Sequence, residues 1–394
     1  MPDETITHAV SERYARAAAT AEQMCCPTGY HFDDLRTFVP EEVLKVSYGC
    51  GTPAGLDTVK PGETVLDIGS GGGIDCFEAL RRVGEAGHVI GIDMTDEMLA
   101  IARRNGPVVA NNLGYSQSNV EFRKGLADAM PVADASVDLI ISNCVINLAP
   151  DKPKVFSEML RVLRPGGRFT ISDIVSDQPV PNYLVHDPEK WENCLSGALQ
   201  VGDYMTKTVE AGFLGIHQLQ AIPWQVIDGI HFFSITLTGY KFAGRVEGHP
   251  MFATLLGPFR AATDELGQTY HRGKPLRIDG RTAHLLRMPP LQNHFLLRDD
   301  PVELSPGDPR LTEILPAQTP CVWKGDYALL TGPFREACDD DQHVYRRGEP
   351  VEVCSKTLAV LTADPYHRHF AVLNRAGTRV SGTAVSCSPD GPCC

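Results

Sequence analysis

The chain has 394 residues, 43% of them hydrophobic, and 12 cysteines. Its 49 acidic and 36 basic side chains give a formal net charge of −13, which argues against a nucleic-acid binder, because such proteins usually carry a basic face. No apolar run approaches the length of a membrane span, and the acidic start at residues 1–5 (MPDET) is unlike a signal peptide.

We therefore expect a cytoplasmic protein of two or three domains. Many cysteines in a cytoplasmic chain indicate thiol chemistry or soft-ion binding rather than a disulfide framework. The sequence contains no C-x-x-C, so we do not expect a zinc ribbon or a thioredoxin-like site.

Residues 1–62 form the first predicted segment. Apolar residues recur at helical spacing over residues 1–24, and the proline after Cys25 and Cys26 would end this helix. Further on, glycines flank Cys50 in Y-G-C-G at 48–51, and they would let the loop carry its thiol to another group.

The glycine-rich stretch at 64–77 (TVLDIGSGGGIDCF) predicts a buried strand, a tight turn and the start of a helix. The dinucleotide-binding pattern fits it only loosely. The next predicted strand, 88–92, is followed by Asp93, and a carboxylate there can hold a ribose diol. This pattern indicates a nucleoside-bearing cofactor.

Strands alternate with helices through residues 63–242. This predicts a Rossmann-like, doubly wound parallel sheet whose ligand lies at the carboxyl ends of the strands. The predicted strands are 64–68, 88–92, 119–123, 137–143 and 168–174, followed by a β-hairpin at 216–226 and 232–240. Helices are predicted over 97–104 and 155–163, and an insertion near 180–212 holds Cys194.

Residues 243–385 predict a smaller, mainly β domain with a tandem internal repeat. Three short motifs recur at a constant spacing of 75 residues: G-P-F-R at 257 and 332, Y-x-R-G-x-P at 270 and 345, and H-F at 294 and 369. We interpret the residues common to both copies as structural. The tail 386–394 is rich in Pro, Gly and Ser and contains Cys387, Cys393 and Cys394, so we expect it to be disordered.

Four motifs in order resemble the arsenite S-adenosylmethionine methyltransferases, which have the class I methyltransferase fold. They are Y-G-C-G at 48–51, D-I-G-S-G-G-G at 67–73, N-C-V-x-N-L at 143–148 and C-x-S-G-A-L at 194–199. The resemblance runs from about residue 25 to 240, and we expect it to continue through the C-terminal domain. It implies an enzyme that methylates trivalent arsenic and so detoxifies it.

The resemblance implies that Cys50, Cys144 and Cys194 bind the arsenic. It also implies that a cysteine upstream of Y-G-C-G takes part in thiol–disulfide cycling, and the sequence leaves Cys25 and Cys26 open, with Cys26 our choice. Thioredoxin or glutathione would then regenerate the thiols. The cofactor-binding residues expected for S-adenosylmethionine are Tyr48, Asp67, Gly69, Ser70, Gly71, Gly73, Asp93, Met94, Leu126, Ala127 and Asn143. We expect Cys76, in the helix after the glycines, only to pack.

Two other functions use the same features differently. A methyltransferase acting on carbon or oxygen of a small metabolite would keep the glycine loop but need an acid or base instead of three cysteines. A non-enzymatic soft-metal protein would bind through the cysteine-rich tail and would not need Asp93.

Overall fold

The computed structural model describes residues 3–20, 32–55, 58–185, 195, 197–242, 249–314 and 319–373. These residues divide into two compact units. The first comprises Met1–Gln200, Glu210–Phe213 and Leu219–Phe242, and the second comprises Val201–Val209, Leu214–Gln218 and Ala243–Cys394. Cys25, Cys26, Cys194 and the tail 386–394 lie outside the described residues, so the predictions made for them stay predictions.

The first eight described strands form one sheet: β1 (Thr64–Ile68), β2 (His88–Asp93), β3 (Val120–Lys124), β4 (Val137–Asn143), β5 (Leu163–Ser176), β6 (Leu199–Gln200), β7 (Phe213–Ile227) and β8 (Ile230–Lys241). Their order in the sheet is β3-β2-β1-β4-β5-β8-β7, with β6 paired to β5. The pairs β1–β2, β2–β3, β1–β4 and β4–β5 are parallel, whereas β8 runs antiparallel to β5. This is the predicted Rossmann-like methyltransferase sheet.

The middle strands are buried on both faces, which is why they are continuous apolar runs in the sequence. Val65, Leu66 and Ile68 of β1 have no exposed surface. The hairpin between β7 and β8 turns through Asp228 and Gly229, both with positive φ, as a two-residue turn requires.

Helices pack on this sheet, and their ends differ in part from the predicted ones. The first-unit helices are α1 (Asp3–Thr20), α2 (Phe32–Leu35), α3 (Glu41–Lys45), α4 (Ile74–Val83), α5 (Asp96–Asn112), α6 (Lys152–Val162) and α7 (Asn182–Val185). Helix α5 continues past the predicted 97–104 through Pro107, because Val109 and Ala110 are buried. Helix α6 starts before the predicted residue 155, since the Asp151 side chain accepts the N–H of Lys154 and caps it.

The described strands of the second unit are β9 (Met251–Leu255), β10 (Ala261–Thr263), β11 (Thr269–His271), β12 (Pro275–Ile278), β13 (Phe295–Arg298), β14 (Trp323–Leu330), β15 (Glu336–Cys338), β16 (Val344–Arg346), β17 (Pro350–Cys354) and β18 (Phe370–Leu373). They form one four-stranded and two three-stranded sheets, with the orders β11-β10-β15-β16, β12-β9-β13 and β17-β14-β18. The helices of this unit are α8 (Val201–Glu210), α9 (Gly280–Arg287) and α10 (Ser355–Leu361). The unit is mainly β, as predicted.

Several contacts in this unit come in pairs 75 residues apart. Ala262 of β10 faces Ala337 of β15 in the centre of the four-stranded sheet. The His294 ring nitrogen lies 3.0 Å from the Gly257 carbonyl oxygen, and the corresponding atom of His369 lies 3.2 Å from that of Gly332. A duplication of one segment would produce such pairs, although the duplication itself stays a prediction. Among the described helices, none has the length and apolarity needed to cross a membrane.

Candidate functional site

A cavity of about 880 Å³ opens at the carboxyl ends of β1, β2 and β4. This is where an open parallel sheet binds its ligand. Nine of the residues predicted to bind the cofactor line it: Tyr48, Gly69, Ser70, Gly71, Asp93, Met94, Leu126, Ala127 and Asn143. Asp67 and Gly73, also predicted, do not line it.

The turn between β1 and α4 needs its glycines for two reasons. Gly69, Gly71 and Gly73 have φ values of 72°, 50° and 98°, which favour glycine. A Cβ on Gly69 would also lie 2.2 Å from a methyl carbon of Val145. The turn is therefore shaped by backbone conformation and by its close approach to the segment after β4.

Asp93 presents a carboxylate to the cavity at the end of β2. Its Oδ2 accepts the Gly71 N–H at 2.9 Å and its Oδ1 accepts the Thr95 N–H at 2.8 Å. Burial raises the pKa of Asp93, and these backbone hydrogen bonds oppose that rise. Because each oxygen keeps a further lone pair, the carboxylate can also accept hydrogen bonds from the two hydroxyls of a diol.

Asp67 lies beneath the turn and contacts Cys76. The Cys76 thiol donates to Asp67 Oδ2 at 3.2 Å, and both side chains are buried. Burial and the nearby charge of Asp75 raise the pKa of Asp67, and burial likewise raises that of Cys76. Cys76 therefore does more than pack, because its thiol also makes a hydrogen bond to Asp67.

A wall of the cavity comes from helix α1, which the sequence did not assign to the site. Residues on one side of the helix line it: Thr7, His8, Val10, Ser11 and Tyr14. The Tyr14 ring packs edge-on against Tyr48, with centroids 6.2 Å apart. The helical spacing of the apolar residues predicted the helix, but no local signal showed what its face contacts.

Asn143 joins the end of β4 to the loop that carries Cys50. Its Oδ1 accepts the N–H groups of Cys50 at 2.9 Å and Gly51 at 3.1 Å. Its Nδ2 donates to the Gly51 carbonyl at 2.9 Å and to Asp75 Oδ2 at 3.1 Å. Asn143 is predicted to bind the cofactor, and in the structure it lines the cavity and also holds the cysteine loop.

Cys50 and Cys144 are joined by a disulfide, with Cα atoms 5.9 Å apart. Cys144 has φ +59°, and its N–H donates to the Ser172 carbonyl at 2.8 Å. Its two chain neighbours, Asn143 and Val145, line the cavity. The structure thus brings together two of the three predicted arsenic ligands, 94 positions apart in the sequence, beside the predicted cofactor site.

Both cysteines lie in an apolar cluster formed by residues distant in sequence. Its buried members are Val10, Cys50, Cys144, Leu148, Ile174, Leu184, Leu195, Ala198, Ile230 and Phe232. Leu195, which follows Cys194 in the chain, belongs to this cluster. Cys194 and Cys26 themselves lie outside the described residues.

Comparison with known proteins agrees with this geometry. Residues 59–212 match a methyltransferase domain model, and residues 253–312 and 317–390 match a domain of unknown function. The arsenite methyltransferase of Mus musculus is 30% identical over 77% of this chain and 81% of its own length. The chain belongs to the arsenite methyltransferase family.

Two further members extend the comparison. The arsenite methyltransferase of Halobacterium salinarum is 44% identical over 54% of this chain, although the match covers only 58% of the relative's length. A crystal structure of an arsenic(III) S-adenosylmethionine methyltransferase from Chlamydomonas reinhardtii has a TM-score of 0.52 and 32% identity, covering 74% of this chain and 99% of that one.

Proposed function

We propose that this arsenite methyltransferase family member transfers methyl groups from S-adenosylmethionine to trivalent arsenic held by Cys50, Cys144 and Cys194. The observation that carries the proposal is the meeting of Cys50 and Cys144 at the end of β4, between side chains that line the cavity. The matches to arsenite methyltransferases support the same substrate.

The cavity residues fit S-adenosylmethionine. Asp93 can accept the ribose hydroxyls, and the buried Ser70 hydroxyl, which has no hydrogen-bond partner among the described residues, can bind a polar group of the cofactor. Tyr48, Met94, Leu126 and Ala127 would surround the remainder. When bound, the cofactor supplies an electrophilic methyl group on a sulfonium.

Thiolates suit trivalent arsenic because both are soft. Three As–S bonds leave the arsenic lone pair free, and it can attack the methyl carbon in line. Such a transfer would break one C–S bond of the sulfonium as the As–C bond forms, and the arsenic would be formally oxidised by two electrons. The chain's part is to position the arsenic and exclude water, which the apolar cluster around Cys50 and Cys144 provides.

Turnover requires a reductant. Two thiols can return the two electrons to the oxidised arsenic and become a disulfide, and Cys50 and Cys144 are close enough to form one. A disulfide cannot bind arsenic, so an external thiol must reopen it by exchange. We propose thioredoxin or glutathione for this step, with Cys26 relaying the exchange.

Product speciation tests the proposal. The purified chain is incubated with arsenite, S-adenosylmethionine and a dithiol, and arsenic species are separated with element-specific detection. We expect methylated arsenic that requires both the cofactor and the dithiol. Arsenic that is retained but unmethylated would favour the soft-metal-binding alternative, and methyl transfer only to a carbon or oxygen acceptor would favour the metabolite methyltransferase.

A further inference from the structure

A second pair of cysteines lies in the second unit, remote in sequence from the predicted arsenic ligands. Cys354 ends β17, and Cys321 lies two positions before β14. In the β14–β17 ladder, Trp323 is the register partner of Cys354. The ladder therefore brings the two cysteine-bearing segments side by side.

Backbone contacts fix this arrangement. The Val322 N–H donates to the Ser355 hydroxyl at 3.0 Å, and the Ser355 N–H donates to the Val322 carbonyl at 2.9 Å. Cys321 directly precedes Val322 and Cys354 directly precedes Ser355, so these two hydrogen bonds hold the two cysteines side by side. Neither sulfur belongs to a disulfide, so the two neighbouring segments each carry a reduced thiol.

The acidity of the Cys354 thiol also favours binding of a soft ligand, because the thiolate is the form that binds it. Burial raises the pKa of Cys354, but hydrogen bonds from the Thr357 side chain and backbone, from Cys321 and from the Lys356 N–H lower it to about 7. The Thr357 hydroxyl oxygen lies 3.5 Å from the Cys354 sulfur. Cys354 is buried and Cys321 is half-buried, so a ligand would enter past Cys321.

We propose that Cys321 and Cys354 form a second site, which binds a trivalent arsenical carrying one organic group. Two thiols satisfy two of the three arsenic valences, and the organic group keeps the third. Next to Cys321, Val322 and Trp323 expose apolar side chains, which favours an organic group over a hydroxyl.

The binding step is an exchange without redox change. R–As(OH)₂ reacts with the two thiols, two As–S bonds form and two As–O bonds break. The two thiol protons leave with the hydroxides as two water molecules, and the arsenic stays trivalent. The inference rests on the proposed function in one respect: the monomethylated arsenical is the expected product of the first methyl transfer.

The test uses the full chain with serine at the other candidate soft-ligand cysteines, at positions 25, 26, 50, 144, 194, 387, 393 and 394. Methylarsonous acid, CH₃As(OH)₂, is added without S-adenosylmethionine, and native mass spectrometry counts the adducts. We expect one CH₃As group per chain, lost on Cys321→Ser or Cys354→Ser. The matched control, Cys338→Ser, removes another half-buried cysteine of the same unit and should keep the adduct.

A second measurement covers the case in which the multiple-serine chain does not fold. In the native chain, methylarsonous acid should protect Cys321 and Cys354 together from iodoacetamide, as read by peptide mapping. No adduct, alkylation of both thiols at the untreated rate, or an adduct that survives Cys354→Ser would overturn the inference. Because no methyl transfer is involved, failure here is distinguishable from failure of arsenite methylation by the native chain.

Discussion

At the scale of single residues, Asn143 links the cofactor cavity to the thiol chemistry. Its amide oxygen accepts two N–H groups of the cysteine loop, and its amide nitrogen contacts Asp75 in the cavity wall. Gly49 leaves room for this side chain, since a Cβ there would lie 2.5 Å from the Asn143 amide nitrogen. Asn143 is therefore a positioning residue for Cys50.

We predict that Asn143→Ala slows methylation of arsenite by tenfold or more. The change leaves the buried N–H groups of Cys50 and Gly51 without an acceptor, which costs about 1–3 kcal/mol. An increase of about 1.4 kcal/mol in the activation free energy already slows a reaction tenfold. The measurement is the initial rate at saturating S-adenosylmethionine. Asn112→Ala is the control, since Asn112 donates to the Phe38 carbonyl and does not line the cavity. Equal rates in the two variants would contradict the positioning role.

The sequence predicted some of these residues better than others. Gly69, Gly71 and Asp93 follow strands, so local patterns were sufficient to place them at one edge of the sheet. The resemblance implied only that Cys50 and Cys144 both bind arsenic, and the disulfide between them was not predicted. The bond from Asn143 to Cys50 joins positions 93 apart, and no periodicity encodes such a contact.

At the scale of elements, the β1–α4 turn and the segment after β4 are fitted to each other. Gly69→Ala and Gly114→Ala both place a side chain at positive φ, 72° and 79°, which costs about 1 kcal/mol each. Only Gly69 has a neighbour that a Cβ would meet, the Val145 side chain, whereas nothing lies within 4 Å at Gly114.

We therefore predict that Gly69→Ala weakens S-adenosylmethionine binding by about tenfold or more, equivalent to about 1.4 kcal/mol, whereas Gly114→Ala leaves it unchanged. Isothermal titration calorimetry measures both. Adding Val145→Ala to Gly69→Ala removes the clashing methyl groups and should restore part of the affinity. Unchanged binding in Gly69→Ala would show that the turn tolerates displacement.

Element ends were predicted less well than element types. Pro107 would ordinarily stop a helix, but tertiary packing of the following residues carries α5 on to Asn112. The contact of helix α1 with the cavity could likewise not be predicted, because the spacing of apolar residues shows that a helix has a buried side but not what covers it.

At the scale of the whole molecule, the second unit contains two ion pairs that occupy equivalent positions, since each residue of one pair lies 75 positions from a residue of the same charge in the other. Arg272 pairs with Asp340, and Arg347 pairs with Glu265. The second pair is buried, with side chains 6% and 2% exposed, whereas those of the first are 22% and 40% exposed. Glu265 also accepts the Ile216 N–H at 3.1 Å.

We predict that Arg347→Ala lowers the free energy of unfolding of this unit by about 3–5 kcal/mol, because it leaves a buried carboxylate unpaired. Arg272→Ala should cost about 1 kcal/mol or less, because its partner can be solvated. Urea unfolding, monitored with a fluorescence probe placed in this unit, gives both free-energy changes. Similar losses would mean that burial does not distinguish the two pairs.

The mainly β character of the second unit was predictable, because short apolar strands alternate there with glycine and proline turns. Its three-sheet arrangement was not, since it depends on pairings such as β10 with β15 across more than seventy positions. The recurring sequence motifs indicated the equivalent positions before the structure placed Arg272 and Arg347 in comparable pairs.

The measurement that tests the central claim most directly is the rate of arsenite methylation by Cys144→Ser beside Cys338→Ser. Both variants replace one thiol by a hydroxyl, but only Cys144 lies beside the cofactor cavity and pairs with Cys50. We predict that Cys338→Ser produces methylated arsenic at the parent rate, whereas Cys144→Ser produces none above background with S-adenosylmethionine binding intact. Methylation by Cys144→Ser at the parent rate would contradict thiolate binding of arsenic at this site.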